Sequence, residues 1–434
     1  MKLKTKKWIL PLALLSLIVM LLWVSGVFLK CPVEIKSENF VYEYGEKVST
    51  DLEAYFKVLD KERIDEVQFN LELPNEENIS IGEYVGNLKW RNKTIEFTVV
   101  VKDTVAPEIK LKLEKVGIDY GESFNPIDNI VYVRDIIDGD VKYEVEGNVN
   151  PEKAGDYTIK VVTADKNGNA TEKTFIVNVA EKPSSKTGHM ISNNTNYPLI
   201  HEDETSKITI TKEWYGSAWN YIAHLEFKDY SRFGTAVGNG KYGGMETTSH
   251  AAKRLEAILT VNGDYSAPYL NYPVARGGKV YNNKSAILPA VYSNKSGKLM
   301  SAWESGGTPG ITGYSLSSLV ANGKVSDTFC FGPPILSGGS VLGSNGGGRA
   351  QRTSIGTNGK AGDIWITVSE GRYVDGISAG NTFAESAKLL KMKGCTFGVP
   401  LDGGGSSTMV FKGKVLNHLQ GGAERKIVDF MYFK

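Results

Sequence analysis

Histidine and cysteine are scarce in this 434-residue chain, and each shortage narrows the chemistry. The 5 histidines, His189, His201, His224, His250 and His418, contain no His-Glu-x-x-His pair, so nothing favours a zinc hydrolase of that type. The 3 cysteines, Cys31, Cys330 and Cys395, are too few for a disulfide framework; Cys330 and Cys395 can pair if the chain is exported, leaving Cys31 over. There is no P-loop, no dinucleotide fingerprint and no Gly-x-Ser-x-Gly elbow around Ser406. A Ser-His-Asp triad drawn from distant residues has no support in the spacing. No basic run interleaved with aromatics points to nucleic acid.

Charge is absent from Trp8 to Leu29, an apolar run of 22 residues behind Lys2, Lys4, Lys6 and Lys7. That length predicts a transmembrane signal-anchor at 8–29, a cytoplasmic tail at 1–7, and a single-pass protein of the cell membrane with its remaining domains extracellular. A cleaved signal peptide is the rival, although Phe28-Leu29-Lys30-Cys31 lacks a small-x-small site. The net charge of +1 hides an asymmetry: residues 31–180 carry 18 Lys/Arg against 30 Asp/Glu, and residues 181–434 carry 27 against 19. A basic C-terminal half suits an anionic polymer, which the acidic stretch would not bind.

What is present begins with a repeat. Tyr44-Gly45-Glu46 recurs as Tyr120-Gly121-Glu122, Gly82-Glu83-Tyr84 as Gly155-Asp156-Tyr157, and Phe97–Val101 as Phe175–Val179. These alternating, turn-punctuated stretches predict two all-β sandwiches in tandem, 31–105 and 106–180, acting as a stalk. They resemble bacterial immunoglobulin-like surface domains, including the junction Asp103-Thr104-Val105-Ala106-Pro107. A linker at 181–206, rich in Ser and Asn, then leads to a domain at 207–434.

The most informative stretch of that domain is Leu401-Asp402-Gly403-Gly404-Gly405-Ser406-Ser407-Thr408-Met409. Three glycines let the backbone approach a ligand, and exposed N–H groups beside hydroxyls can hold an anion or a sugar; a bare surface turn is the plainer reading. Upstream, Thr382-Phe383-Ala384-Glu385 fits a capping box and Gly394 a helix stop. Cys395–Leu401 reads as a buried strand that brings Asp402 to its end. The same grammar puts a helix at Ser249–Leu255, a strand at Ala257–Val261, and Asn262-Gly263-Asp264-Tyr265 at that strand's end. Arg352–Gly356 and Asp363–Val368, joined by Thr357-Asn358-Gly359-Lys360, read as a hairpin carrying Arg352 near Glu370-Gly371-Arg372.

In order along the chain, Ile258–Tyr265, Phe331–Leu336, Arg352–Gly356, Glu370–Arg372, Gly380–Glu385, the Asp402 turn and Gly422–Arg425 resemble the phosphodiester glycosidase family over about Glu213–Lys434. Glu370 stands where the family more often has Asp, and Pro400 where it has Asn. The resemblance implies a hydrolase that cleaves a glycosyl phosphodiester at the anomeric carbon. It also implies an α+β catalytic domain with a mixed sheet, whose strand order the sequence leaves open. Phosphate is a good leaving group, so cations that take its charge matter more than a strong general acid. The catalytic residues so implied are Asp402 as nucleophile or base, Asp264 as partner carboxylate and Arg352 as phosphate ligand. Asn262, Gly263, Thr353, Glu370, Arg372, Gly403, Gly404, Gly405, Ser406, Ser407, Thr408 and Arg425 would bind substrate, and Glu385 is first a capping residue. No cofactor is required; a divalent cation on Asp264 or Asp402 is compatible with the residues. The expected substrate is a phosphate-bearing cell-envelope polysaccharide or exopolysaccharide. Alternatives are a non-catalytic phosphosugar- or teichoic-acid-binding protein and an envelope polymer assembly factor.

Overall fold

The computed structural model describes residues 30–74, 79–184, 188–265, 267–268, 272–283, 290–301, 313–343 and 348–434. The transmembrane helix expected at 8–29 lies outside them. Among the described residues no helix is long and apolar enough to cross a membrane, and the longest, Phe383–Met392, has 10 residues. The multidomain expectation of a membrane helix followed by β-sandwiches and an α+β domain is thereby corrected to a chain that is mostly β with few helices.

Two compact units divide the chain, one of Met1–Lys110, Ile130–Glu144 and Val161–Lys173, the other of Leu111–Asn129, Val145–Lys160 and Thr174–Lys434. In the first, alternate residues of the strands Gly82–Trp90 and Lys93–Lys102 point inward, burying Leu88, Trp90, Phe97, Val99 and Val101 around Tyr55 and Phe56. This is the period of two that a half-buried strand requires. The sequence repeat has a structural counterpart. In 31–105 the second of two long neighbouring strands takes a parallel partner, Asn39–Glu43 beside Lys93–Lys102; in 106–180 Lys115–Ile118 lies parallel to Ala170–Val179. The immunoglobulin-like assignment of these segments finds no support beyond their mostly β character, interrupted by the short helices Leu52–Tyr55, Lys61–Glu66 and Pro126–Asn129.

In the second unit two sheets share one core. The larger contains β1 (Ser206–Tyr215), β2 (Ala218–Phe227), β6 (Asp363–Ser369), β5 (Thr353–Thr357) and β7 (Phe397–Pro400) in that spatial order. The smaller runs β3 (Phe233–Val237), β9 (Asp429–Phe433), β4 (Leu259–Asn262), β8 (Met409–Phe411). Ile208, Ala223, Ile355, Ile366 and Val399 from one sheet meet Phe233, Val261, Met409, Met431 and Phe433 from the other. The opposite faces are covered by helices: α1 (Thr248–Leu255) packs Ala251 against Phe430, and α2 (Phe383–Met392) sets Ala387, Leu389 and Leu390 on Ile222 and Trp365. Gly356 and Gly398 pair across β5 and β7, where an added methyl would stand 3.0 Å and 2.7 Å from Leu390, so their bareness lets α2 sit close. The expected mixed sheet is also corrected. Every described pairing in this region is antiparallel; hairpins such as β1–β2 account for the neighbouring strands, and contacts between distant segments for pairs such as β2 with β6 and β4 with β9.

Candidate active site

The glycine turn, which follows β7, is laced to the start of β5 and the end of β4. Leu401 N–H donates to Thr353 O (2.8 Å), Asp402 N–H to Gly263 O (3.1 Å) and Gly404 N–H to Gln351 O (2.9 Å). Asn262, fully buried at the end of β4, is the hub of this arrangement. Its Nδ2 donates to Asp402 O (2.7 Å), and its Oδ1 accepts from Thr353 Oγ1 (2.8 Å) and Thr408 N (3.2 Å). Ser407 Oγ lies 3.2 Å from the same Thr353 hydroxyl. Asn262, Thr353, Ser407 and Thr408 are thus engaged in holding the turn's shape.

Asp402 itself is half-buried, with one carboxylate oxygen accepting from Gly403 N–H (2.8 Å). Burial raises its pKa above the usual carboxylate range, while the Ser406 hydroxyl, the Gly403 N–H and the charge of Arg425 pull it back. Gly404 takes φ +60°, a left-handed conformation that suits glycine and turns the chain here.

Three arginines surround the three glycines. A methyl on Gly403 would stand 3.8 Å from Arg352 Nη1, one on Gly404 3.3 Å from Arg372 Nη2, and one on Gly405 2.5 Å from Arg425 Nη2. Each guanidinium is oriented by a neutral group. Arg352 donates to Asn381 O (3.2 Å) and Gly348 O (2.9 Å) and lies 4.0 Å from the centre of the Phe383 ring. Arg372 donates to Gln420 Oε1 (2.7 Å), and Arg425 reaches Ser406 Oγ (3.5 Å). Burial, and then the positive Arg372, lower the pKa of Arg352, the expected response of a guanidinium held in a partly dry, cationic place. Arg372 and Tyr373 have φ +55° and +56°, two successive left-handed non-glycine residues, a strained backbone of a kind found at functional sites. Three guanidinium groups around the glycine turn, beside one half-buried carboxylate, can hold a phosphoryl group and present the carboxylate to an adjoining carbon; the N–H groups of Gly403, Gly404, Ser406 and Ser407 are already bonded within the protein.

Two residues from the sequence reading sit elsewhere. Asp264 has a side chain only 1% exposed, bonded to Arg276 Nη2 (2.5 Å) and to Cys330 N–H (2.6 Å). Arg276 Nη2 also donates to Asp429 Oδ2 (2.7 Å), and Asp429 Oδ1 accepts from Tyr265 N–H (3.1 Å). Two carboxylates around one guanidinium cannot both ionise cheaply, and burial with the repulsion from Asp264 pushes Asp429 up. This network braces the Asn262–Tyr265 turn from beneath. Glu370, 1% exposed, accepts from His418 N–H (2.9 Å) and lies 3.0 Å from His418 Nδ1, a bond that raises the imidazole's pKa. Glu370 and His418 border a cleft of about 510 Å³ with Tyr197, Lys212, Tyr221 and Asp375, whose lining does not include Asp402 or the three arginines.

The sequence reading did not single out Arg276, Asp429, Gln351 or Gln420. Arg276 sits in a three-residue strand and Asp429 in an apolar C-terminal strand, neither with a motif around it. Local signals exist for Gln351, which directly precedes the motif Arg352–Gly356, and for Gln420, two residues before the motif Gly422–Arg425.

Residues 255–434 match the family model described as phosphodiester glycosidase. No curated protein matches the chain. Among solved structures, the zebrafish N-acetylglucosamine-1-phosphodiester alpha-N-acetylglucosaminidase catalytic domain, auto-inhibited by its pro-peptide, is 18% identical, with 57% of this chain and 88% of that one covered and a TM-score of 0.41. A hypothetical protein from Synechocystis is 11% identical (83% and 91% covered, TM-score 0.38), and a putative exported protein from Burkholderia pseudomallei 13% identical (68% and 96% covered, TM-score 0.33). Residues 255–434, less than half of the chain, carry Asp402 and the three arginines and are thus the part that resembles the phosphodiester glycosidase family.

Proposed function

We propose that this domain hydrolyses sugar-1-phosphodiester linkages within a phosphate-bearing cell-envelope glycopolymer, and that Asp402 and Arg352 carry the reaction. Supporting this reading is the convergence of Arg352, Arg372 and Arg425 on the glycine turn that follows Asp402. In the proposed reaction the bond from the anomeric carbon to the phosphate oxygen breaks and its electron pair leaves with the phosphate monoester. Oxygen from water ends on the sugar. The guanidinium groups take the charge that develops on the leaving phosphate through paired N–H donors, which matters most in a partly dry site. Asp402 either attacks the anomeric carbon or takes the proton of the attacking water. Asp264, enclosed with Arg276, acts by fixing the Asn262 turn against which Asp402 rests.

The test is release of free sugar by the purified full chain from a panel of synthetic sugar-1-phosphodiesters, beside Asp402→Asn and Arg352→Ala. Release by the wild type that both substitutions remove supports the reading. Tight binding of phosphosugars by all three with no release would favour a binding protein instead.

A further inference from the structure

Three buried carboxylates meet in the acidic unit, away from any residue assigned above. Asp103 follows the strand Lys93–Lys102, Asp135 ends the strand Ile130–Asp135, and Asp165 follows the strand Gly155–Ala164. Their exposures are 6%, 7% and 8%, and one carboxylate oxygen from each lies within 4.8 Å of the other two. Among the described residues none of them is paired with a lysine or arginine; the neighbouring Lys166 is bonded to Asp138 (2.7 Å). Like charges packed this closely out of water repel unless something positive stands between them.

A second observation concerns a single atom. Asp135 Oδ1 accepts from the N–H groups of Ile137 (2.7 Å) and Asp138 (3.0 Å), but its Oδ2 is buried and has no hydrogen-bond partner among the described residues. Buried carboxylate oxygens are almost always satisfied, and one left bare inside an acidic cluster asks for a ligand that is not a proton donor of the chain. Neutral amides complete the surroundings. Asn167 Nδ2 donates to Asp103 Oδ2 (2.8 Å), and Asn169 Nδ2 to Asp165 Oδ2 (2.8 Å) and Asp103 O (3.2 Å). Each amide offers a carbonyl oxygen in its flipped orientation, a choice that hydrogen bonding alone decides.

We propose that Asp103, Asp135 and Asp165 bind one Ca²⁺ ion. All donors are oxygen, which selects a hard cation. Oxygens around Ca²⁺, at about 2.3–2.6 Å from the ion, stand up to roughly 5 Å apart, so the three carboxylates can share one ion, and a set of carboxylates and amide carbonyls suits Ca²⁺ better than Mg²⁺, which keeps several of its waters. Bound there, the ion ties the end of one long strand to two turns of the next repeat, so its removal loosens that unit.

The experiment uses the full chain, freed of metal with a chelator and then titrated with CaCl₂ or MgCl₂ by calorimetry and by thermal unfolding. One Ca²⁺ per chain, with a Kd at or below about 1 mM, the weak end of the range for Ca²⁺-binding modules, and a rise in the unfolding midpoint, is the expected result. Asp135→Asn should weaken binding by about tenfold or more and reverse the order of stability. With chelator the variant is the more stable protein, because a repelling charge is gone; with Ca²⁺ the wild type is. Should Asp135→Asn fail to fold, Asp165→Asn serves the same comparison. No heat and no midpoint shift at about 10 mM Ca²⁺, well above that affinity range, would overturn the proposal. So would unchanged Ca²⁺ affinity in the variant, or an equal response to Mg²⁺.

Discussion

Asp402 owes its raised pKa to burial, and that has a sign. If its ionised form does the chemistry, kcat is lost as pH falls through a value above the ordinary carboxylate range. A pH–rate profile whose acid limb sits at the usual carboxylate pKa would contradict this. Asp402→Asn should cost roughly a hundred- to ten-thousand-fold in kcat with little change in binding, read by steady-state kinetics beside direct titration. Arg352→Ala is expected to lower kcat/KM by about a hundredfold or more. Arg352→Lys should recover little of that, because a lysine cannot present two parallel donors. Asp429 tests the brace beneath the turn. Its folded pKa, pushed up to about 7, exceeds that of the unfolded chain, so its contribution to stability is present at low pH and lost as pH rises through about 7. Urea unfolding at successive pH values should show wild-type stability falling across that window and Asp429→Asn with a flatter dependence. Identical slopes would show that the buried pair does not titrate in this way.

At the scale of elements, α2 is the part that local code specifies most fully. Thr382 Oγ1 accepts from Glu385 N–H and the Glu385 carboxylate accepts from Thr382 N–H, closing the capping box, while Arg349 pairs with the same glutamate (2.8 Å). Gly394 takes φ +89° just beyond the last turn. Thr382→Ala should therefore destabilise the protein by about 1 kcal/mol. Leu390→Ala, which empties the seat over Gly356 and Gly398, should cost about 2–5 kcal/mol; denaturant midpoints check both. The capping box, the Asn358-Gly359 hairpin between β5 and β6, and the strand–turn units ending at Asn262 and Asp402 were legible because each depends on neighbours within a few residues. Sheet direction was not legible, since the register of β5 with β7 or of β4 with β9 is set by contacts between distant segments. The same holds for Asp264. Its sequence neighbours place it at a strand end, but Arg276 and Asp429, which enclose it, come from 12 and 165 positions away. The arginines around the glycine turn lie in between: their motifs were visible, whereas their convergence needed the fold.

For the whole molecule, charge is segregated along the chain, and the basic C-terminal part carries the arginine site. Added salt screens such attraction over about 10 Å at 0.1 M, so turnover of a polymeric polyanion should fall with ionic strength more steeply than turnover of a small phosphodiester. Equal slopes for the two substrates would mean that the site alone, and not the field of the domain, recruits the polymer. The central claim is that the bond broken is the one at the anomeric carbon. The most direct measurement is hydrolysis of a sugar-1-phosphodiester by the full chain in heavy-oxygen water, followed by mass spectrometry of both products. The account predicts the label on the released sugar, with none on the phosphate monoester and release slowed by about a hundredfold or more in Asp402→Asn; label on the phosphate would contradict it.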